Sequence, residues 1–283
     1  MARPATRWVH RTGEIVLDRT RVMGVLNVTP DSFSDGGHFF DPNAALRHGI
    51  NMVDRGADLL DIGGESTRPG SDSVPAEEEW RRISPVIRGL ARKVDVPLSV
   101  DTMKADVAAN AIEAGAAIVN DVSGLQDPAM VRAVSKSHVG VVAMHMLGNP
   151  KTMQQHPRYD DVILEVRAFL ADRVRVLMAA GLHGETIAID PGVGFGKTLE
   201  HNLALLRHLD RLVALGHPVV IGVSRKSFIE RLGGGASGER IPGSIAAATL
   251  AVSKGAQIVR AHDVAETVQA MRVVDAIVRG ERL

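Results

Sequence analysis

Apolar runs short enough to be strands alternate with longer amphipathic segments along almost the whole chain. The runs are Arg21 to Asn27, Asp58 to Ile62, Pro97 to Val100, Ala117 to Asn120, Val139 to Met144, Thr186 to Ile189, Pro218 to Gly222 and Gln257 to Ala261. Each is rich in Val, Ile and Leu at consecutive positions, the pattern of a strand covered on both faces, as in a parallel sheet. The segments between them carry helix boundaries. Asp41 followed by Pro42 supplies an N-cap with a first-turn proline, and Ala44 to Arg55 stops at Gly56. Pro75 to Lys93 opens on Glu77, Glu78 and Glu79 and contains Pro85, which predicts a kink or a split. Asp106 to Ala114 stops at Gly115, Asp127-Pro128 opens a further helix, and Asp160 to Ala180 stops at Gly181. Leu199 to Leu215, Pro242 to Lys254 and Asp263 to Arg279 each stop at a glycine, the residue that best tolerates the left-handed end of a helix.

Eight strand-then-helix units predict an α/β fold, a closed (β/α)8 TIM barrel. A doubly wound open sheet would place a Gly-rich turn after its first strand, and none follows Asn27. Ahead of the first unit, Trp8 to Leu17 reads as a short β-hairpin turning near Gly13. No low-complexity tract or Pro/Ser-rich linker divides the 283 residues, so a single domain is expected.

Charge and composition narrow the partners. The 33 Lys and Arg balance the 33 Asp and Glu, which removes the electrostatic footprint of a nucleic-acid or anionic-membrane binder and favours small molecules. With no cysteine there is no disulfide, thiolate metal site or thiol nucleophile. The N-terminal segment has arginines but no apolar core of a secretory signal, and even Ile245 to Val252 soon meets Lys254. A cytoplasmic location is therefore expected, and the sequon Asn27-Val28-Thr29 carries no weight as a glycosylation site.

A barrel of this kind turns the pattern into a site, because the C-terminal ends of all its strands open on one face. Polar residues recur there: Asn27, Asp61, Asp101, Asn120, Asp121, His145, Asp190, Ser224, Arg225, Lys226, Arg260 and His262. Any one of them could be an ordinary cap or loop residue, but capping does not require carboxylates, amides and cations to meet on one rim. Asp101, Asn120 and Asp190 offer acceptors and an amide donor suited to a flat heterocycle with amino and lactam edges. The cations Arg68, Arg225, Lys226 and Arg260, with His262, suit phosphate oxygens. Gly192 to Thr198 ends like a Walker A loop, yet Pro191 stands where the first glycine belongs, so it reads as a tight strand-to-helix loop that lets backbone approach a ligand. No H-E-x-x-H or comparable metal pair is present.

Several long segments, in order and at strand ends, resemble the dihydropteroate synthase family. They are Met23 to Gly37 (MGVLNVTPDSFSDGG), Gly63 to Gly70 (GGESTRPG), Ser99 to Thr102, Val119 to Gly124, Met144 to Met146 and Gly148 to Gln154. Asp190 to Lys197 (DPGVGFGK), Ser224 to Phe228 and Arg260 to Val264 continue the series, so the likeness runs from about Val22 to the last helix. The one departure noted, Ala261 where the family commonly has Val, is small.

The resemblance implies a barrel enzyme, a transferase that condenses 6-hydroxymethyl-7,8-dihydropterin diphosphate with para-aminobenzoate on the route to folate. It implies that Asp101, Asn120, Asp190 and Lys226 hold the pterin, in a slot shaped by Val122, Met144, Phe195 and Gly222. Asp101, Asp190 and Lys226 would be the catalytic set. It further implies Asn27, Arg68, Arg260 and His262 on the diphosphate, Mg²⁺ near Asn27, and Phe33, Thr67, Arg68, Pro69 and Ser224 around the aminobenzoate. A homodimer and sulfonamide sensitivity belong to the same implication. Two other readings stay open at this point, a pterin-dependent methyl-transfer module and a catalytically silent pterin-binding paralogue; the first has no use for the diphosphate cations.

Charge suggests the chemistry. An aromatic amine is a weak nucleophile, so the carbon it attacks must become strongly electrophilic, and departure of diphosphate is the lever. A dissociative, SN1-like substitution needs no protein base, and no nucleophile–base dyad is evident in the sequence. The loops Thr29 to Phe40 and Gly64 to Val74, rich in Gly, Pro, Ser and Asp, are expected to act as lids.

Overall fold

The structure is a computed structural model that describes residues 5–29, 41–67, 70–233, 235–236 and 239–280. Eight parallel strands form the barrel: β3 (Arg21–Asn27), β4 (Leu59–Gly63), β5 (Leu98–Asp101), β6 (Ile118–Asp121), β7 (Gly140–Met144), β8 (Ile187–Asp190), β9 (Val220–Gly222) and β10 (Ile258–Ala261). They pair in the order β8-β7-β6-β5-β4-β3-β10-β9, and a parallel bridge between Ile189 and Val219 closes the ring. The first expected run coincides with β3, and each of the others lies on one of these strands with an end displaced by a residue or two.

Alternation along the strands divides two cores. Val22, Leu26, Leu60, Ile62, Val100, Val119, Val141, Ile187, Ile221 and Val259 face outward and pack under the helices. The inward positions at the start of the strands are also apolar: Met23, Leu59, Ile118, Val142, Ala188, Val220 and Ile258. The antiparallel hairpin β1 (Arg7–His10) and β2 (Gly13–Val16) closes this end of the barrel with Trp8, Ile15 and Leu17. Trp8 is fully buried, and its indole N–H donates to the Thr186 carbonyl at 3.0 Å, which satisfies the one polar atom the plug carries inside.

Two residues further along four of the strands the inward position changes character. Leu59 is followed by Asp61, Ile118 by Asn120, Ala188 by Asp190 and Ile258 by Arg260. One barrel interior therefore has an apolar floor and a polar upper layer.

The helices follow their boundary signals. α1 (Pro42–Asp54) is capped by the Asp41 carboxylate, which accepts the Asn43 N–H at 2.8 Å. α3 (Ala105–Ala114) ends at Gly115 with φ 118°, α4 (Pro128–Ser135) begins at the Asp127 cap, and α5 (Val162–Ala179) at the Asp161 cap. α9 (Ile241–Ser253) and α10 (Val264–Arg279) complete the outer ring.

Two expectations are narrowed or corrected. Of the kink or split expected at Pro85, the split does not occur, since α2 (Ala76–Leu90) continues through it: Ile83, Val86, Ile87 and Leu90 bury one face, so packing outweighs the hydrogen bond that proline removes. The segment Leu199 to Leu215 is two helices, α6 (Leu199–Arg207) and α7 (Asp210–Val213), because His208 leaves helical geometry at φ −114° and ψ 28°. Leu205, Leu206, Leu209 and Leu212 all remain buried across that break. A short helix, α8 (Ser227–Arg231), follows β9 and was not expected. No helix among the described residues is long and apolar enough to cross a membrane.

Candidate active site

The polar upper layer is a connected ion-pair network. Asp61 Oδ2 accepts from Asn120 Nδ2 at 2.9 Å and from Arg260 Nε at 2.6 Å. The same guanidinium reaches the Asp101 carboxylate at 2.7 Å. Asp61, Asp101 and Asn120 are buried, and parallel pairing fixes their mutual register, with Gly63 opposite Asp101 and Asp101 opposite Asn120. Asp61 Oδ1 and Asp101 Oδ1 have no hydrogen-bond partner among the described residues. Burying two carboxylates against one guanidinium leaves a local excess of negative charge, a costly arrangement that a ligand with donors would relieve.

Those surroundings act on the acids. Burial pushes Asp101 up to about 7, Asp61, Glu79 and Asp121 add to the rise, and Arg260 opposes it. Asp190 is pushed up to about 6, again by burial, against the hydrogen bond from the Gly192 N–H at 2.7 Å and the charges of Lys226, Arg260 and Lys197. Both carboxyl groups thus titrate near neutrality, as groups that interact with a ligand's N–H edge often do.

Above the network lies a cavity of about 540 Å³. Its wall includes Asn27, Thr67, Asp101, Phe195, Gly222, Ser224, Lys226, Arg260 and His262. With Arg225, which lies in the same wall, ten of the expected site residues share one cavity. Asn120 and Asp190 lie beneath its surface within the polar layer, and Val122, Met144 and Phe195 pack in one apolar cluster with Met146 and Met153. Lys226 Nζ stands 4.0 Å above the Phe195 ring, a cation–π contact that joins the apolar cluster to the charged wall. Phe33, Arg68 and Pro69 lie outside the described residues.

The loop from β8 to α6 brings Phe195 to the cavity. Gly192, Gly194 and Gly196 have φ values of 67°, 83° and 62°, so it is a string of left-handed turns. Behind it, the buried Lys197 ammonium donates to the Phe195 carbonyl at 2.9 Å and meets His145 Nδ1 at 2.9 Å. Burial lowers Lys197 to about 7. At Gly192 a Cβ would stand 1.9 Å from the His145 carbonyl oxygen. Gly192→Ala is expected to cost about 1–3 kcal/mol of stability, read as a lower urea midpoint. An unchanged midpoint would show that the loop shifts freely.

Two features depart from the sequence-based picture. His262 was expected as a cation, yet burial, followed by the charges of Arg260 and Arg225, lowers it to about 3. In the ligand-free site it is a neutral imidazole that offers one N–H. The second departure is a Ser–His contact, since Ser224 Oγ lies 3.1 Å from His262 Nδ1 and accepts the His262 backbone N–H at 3.2 Å. No carboxylate is hydrogen-bonded to the other ring nitrogen among the described residues, so the orienting acid of a hydrolytic triad is missing. Arg225, counted among the phosphate cations, is engaged by Asp263 through Nε at 3.0 Å and through a second nitrogen at 2.5 Å.

Residues 23–262 match the pterin binding enzyme family. The dihydropteroate synthase of Neisseria meningitidis serogroup B is 48% identical over 278 residues, covering 95% of this chain and 97% of that protein. The dihydropteroate synthase of Escherichia coli K12 is 45% identical over 260 residues, 92% of each. The chain belongs to the dihydropteroate synthase family.

Solved dihydropteroate synthases share its architecture. The Xanthomonas albilineans enzyme with 4-aminobenzoic acid superposes with a TM-score of 0.91 at 48% identity, over 96% of this chain and 98% of that one. The same organism's enzyme in complex with 7,8-dihydropteroate gives 0.85 at 46% identity over 93% and 95%. The Yersinia pestis enzyme with a sulfonamide drug gives 0.92 at 45% identity over 97% and 100%.

For a dihydropteroate synthase barrel, three residues gain weight beyond the roles the sequence suggested. Asp61, placed on the rim by the sequence but given no role there, is the hub of the polar layer. Arg240 lines the cavity and donates to the Arg225 carbonyl at 3.2 Å, with no strand-end signal to mark it. Lys197 appeared only as the tail of a glycine-rich loop, and its burial could not be read from that.

Proposed function

We propose that this chain condenses 6-hydroxymethyl-7,8-dihydropterin diphosphate with para-aminobenzoate, releasing 7,8-dihydropteroate and diphosphate. The observation that carries the reading is the buried Asp61–Asn120–Asp101–Arg260 network beneath a cavity whose wall also holds Lys226 and Asn27. Asp101, Asn120 and Asp190 meet the donor and acceptor edges of the pterin, Lys226 takes a ring acceptor, and Val122, Met144, Phe195 and Gly222 shape the slot. Arg260, His262, Asn27 and Arg68 take the diphosphate; Thr67, Ser224, Phe33, Arg68 and Pro69 border the aminobenzoate. A methyl-transfer module would leave these cations unused, and among the described residues the Ser224–His262 contact has no hydrogen-bonded acid of the kind hydrolysis would require.

The chemistry follows from where charge grows. As the carbon–oxygen bond to diphosphate lengthens, negative charge builds on the leaving group beside Arg260 and the His262 N–H, and positive charge spreads into the pterin. Asp101, ionised, stabilises that ring cation more than the neutral ring, which lowers the barrier rather than only the substrate's energy. The amine then attacks and loses its proton after bond formation, so no strong base is needed. Asn27 suits a Mg²⁺ ion that arrives with the diphosphate. It offers one neutral amide oxygen, and no group of three His, Cys, Asp or Glu that could hold a metal occurs among the described residues. Asn27 would hold such an ion through that oxygen, and the ion would supply neutralisation of leaving-group charge when bound.

The carboxyl groups set a pH dependence. The ionised forms of Asp101 and Asp190 are the working ones, so kcat/KM for the pterin diphosphate is expected to fall as pH drops through about 7 and then about 6. A profile flat from pH 8 to about 5 would contradict this use of the two acids.

Two further parts belong to the same proposal. Leu250 on α9 and Val273, Ile277 and Val278 on α10 are exposed, which supports a homodimer through these helices. The location is the cytoplasm, where folate precursors with charged tails would be retained. The function is tested by incubating the purified chain with pterin diphosphate, para-aminobenzoate and Mg²⁺. Diphosphate release that requires the aminobenzoate is expected; release independent of it, or none, would overturn the reading.

A further inference from the structure

A charged cluster outside the polar layer ties the loop after β4 to the rest of the rim. Glu65 Oε2 accepts the Val74 N–H at 3.0 Å and is also bonded by Lys104 Nζ. One oxygen therefore joins both stems of the loop that contains Thr67. Lys104 extends from the segment after β5, where its backbone N–H donates to Thr102 Oγ1 at 3.1 Å, three residues beyond Asp101. It also grips Glu79 Oε2 of α2 at 2.5 Å. The carboxylates are almost wholly buried, with side-chain exposures of 7% for Glu65 and 1% for Glu79. The stem is tightly packed, since a Cβ at Gly64 would stand 2.8 Å from Ile83 and 2.9 Å from the Glu79 carbonyl.

α2 is held by its buried apolar face as well as by the Lys104–Glu79 pair, whereas Glu65 is the member of the cluster that reaches the far stem of its own loop: Ser66 and Thr67, the next residues, line the cavity beside Asp101. We propose that Glu65 is a positioning residue for the second substrate, a carboxylate staple that, through Lys104, sets the loop bearing Thr67 at a fixed height above the pterin floor. The proposal rests on the function given above, in which this loop borders the aminobenzoate. A staple of this kind acts on one substrate and not on the other, because Asp101, Asn120 and Asp190 are held by strands and by Arg260 rather than by the loop.

Steady-state kinetics with each substrate varied separately tests it. Glu65→Ala cuts the staple and leaves Lys104 on Glu79, so the fold keeps its buried pair. It is expected to raise KM for aminobenzoate about tenfold, the loss of one buried charge-assisted bond, with KM for the pterin diphosphate changed less than about twofold. Glu65→Gln keeps an oxygen for the Val74 N–H and for Lys104, so it is expected to restore most of the aminobenzoate affinity; if the alanine variant does not fold, Glu65→Met, which fills the space without an acceptor, is expected to give the same selective rise. An unchanged aminobenzoate KM in the alanine and methionine variants, or equal rises in both constants, would overturn the staple. A wild-type chain that releases no diphosphate in response to aminobenzoate would instead overturn the function itself.

Discussion

Replacement of Arg260 by Met is expected to cost the folded chain about 3–5 kcal/mol at pH 8, because it leaves buried carboxylates without their cation. Arg260 Nε lies 2.6 Å from Asp61 Oδ2, and a second nitrogen lies 2.7 Å from Asp101 Oδ2. Those carboxylate side chains are 0% and 7% exposed, so water cannot take the place of the guanidinium. The sign of the pH dependence is fixed. Asp101 is already raised by burial, and without the opposing charge of Arg260 its folded-state carboxyl binds a proton more tightly still than the unfolded chain does. Stability of the variant should therefore fall as pH rises from about 5 to 8, and the deficit against wild type should shrink at the acid end. Urea denaturation at both pH values reads this directly. A variant as stable as wild type at pH 8 would mean that Arg260 does not compensate the buried carboxylate layer.

The second large effect is catalytic. Asp101→Asn preserves shape and still accepts from Arg260 through its amide oxygen, yet removes the charge that faces the ring cation. It is expected to lower the single-turnover rate by about a hundredfold, the scale of losing one preorganised electrostatic contact, while pterin binding weakens far less. The upper of the two acid ionisations should disappear from its pH profile. An unchanged chemical rate, with the loss confined to binding, would assign Asp101 to recognition alone and favour a direct in-line displacement.

Much of this site was legible because two periodicities coincide. Eight apolar runs separated by capped amphipathic segments fix a barrel, and once a barrel is given, residues as distant as Asn27 and Arg260 must share a rim. Asp41-Pro42, Asp127-Pro128 and Gly115 marked helix ends to within a residue or two, since caps are local chemistry. What escaped the sequence was decided by distant partners. Pro85 stays within α2 because four apolar side chains bury that helix, which no local rule counts. His262 becomes neutral because the fold buries it, with Arg260 and Arg225 near it in space, and Lys197 is buried because a loop of left-handed turns folds over it. Asp61 bears no motif, and its role as hub appears only when β4, β6 and β10 are brought around one axis. The staple at Glu65 was hidden for the same reason, as its partners Val74 and Lys104 come from other segments of the rim.

The central claim is that one buried polar layer holds the pterin ring. A crystal structure of this chain with 7,8-dihydropteroate tests it most directly. The ring is predicted within hydrogen-bonding distance of Asp101, Asn120, Asp190 and Lys226, with the aminobenzoate end toward Thr67 and Ser224. A ring bound elsewhere, or one in the cavity touching none of those four side chains, would contradict the account.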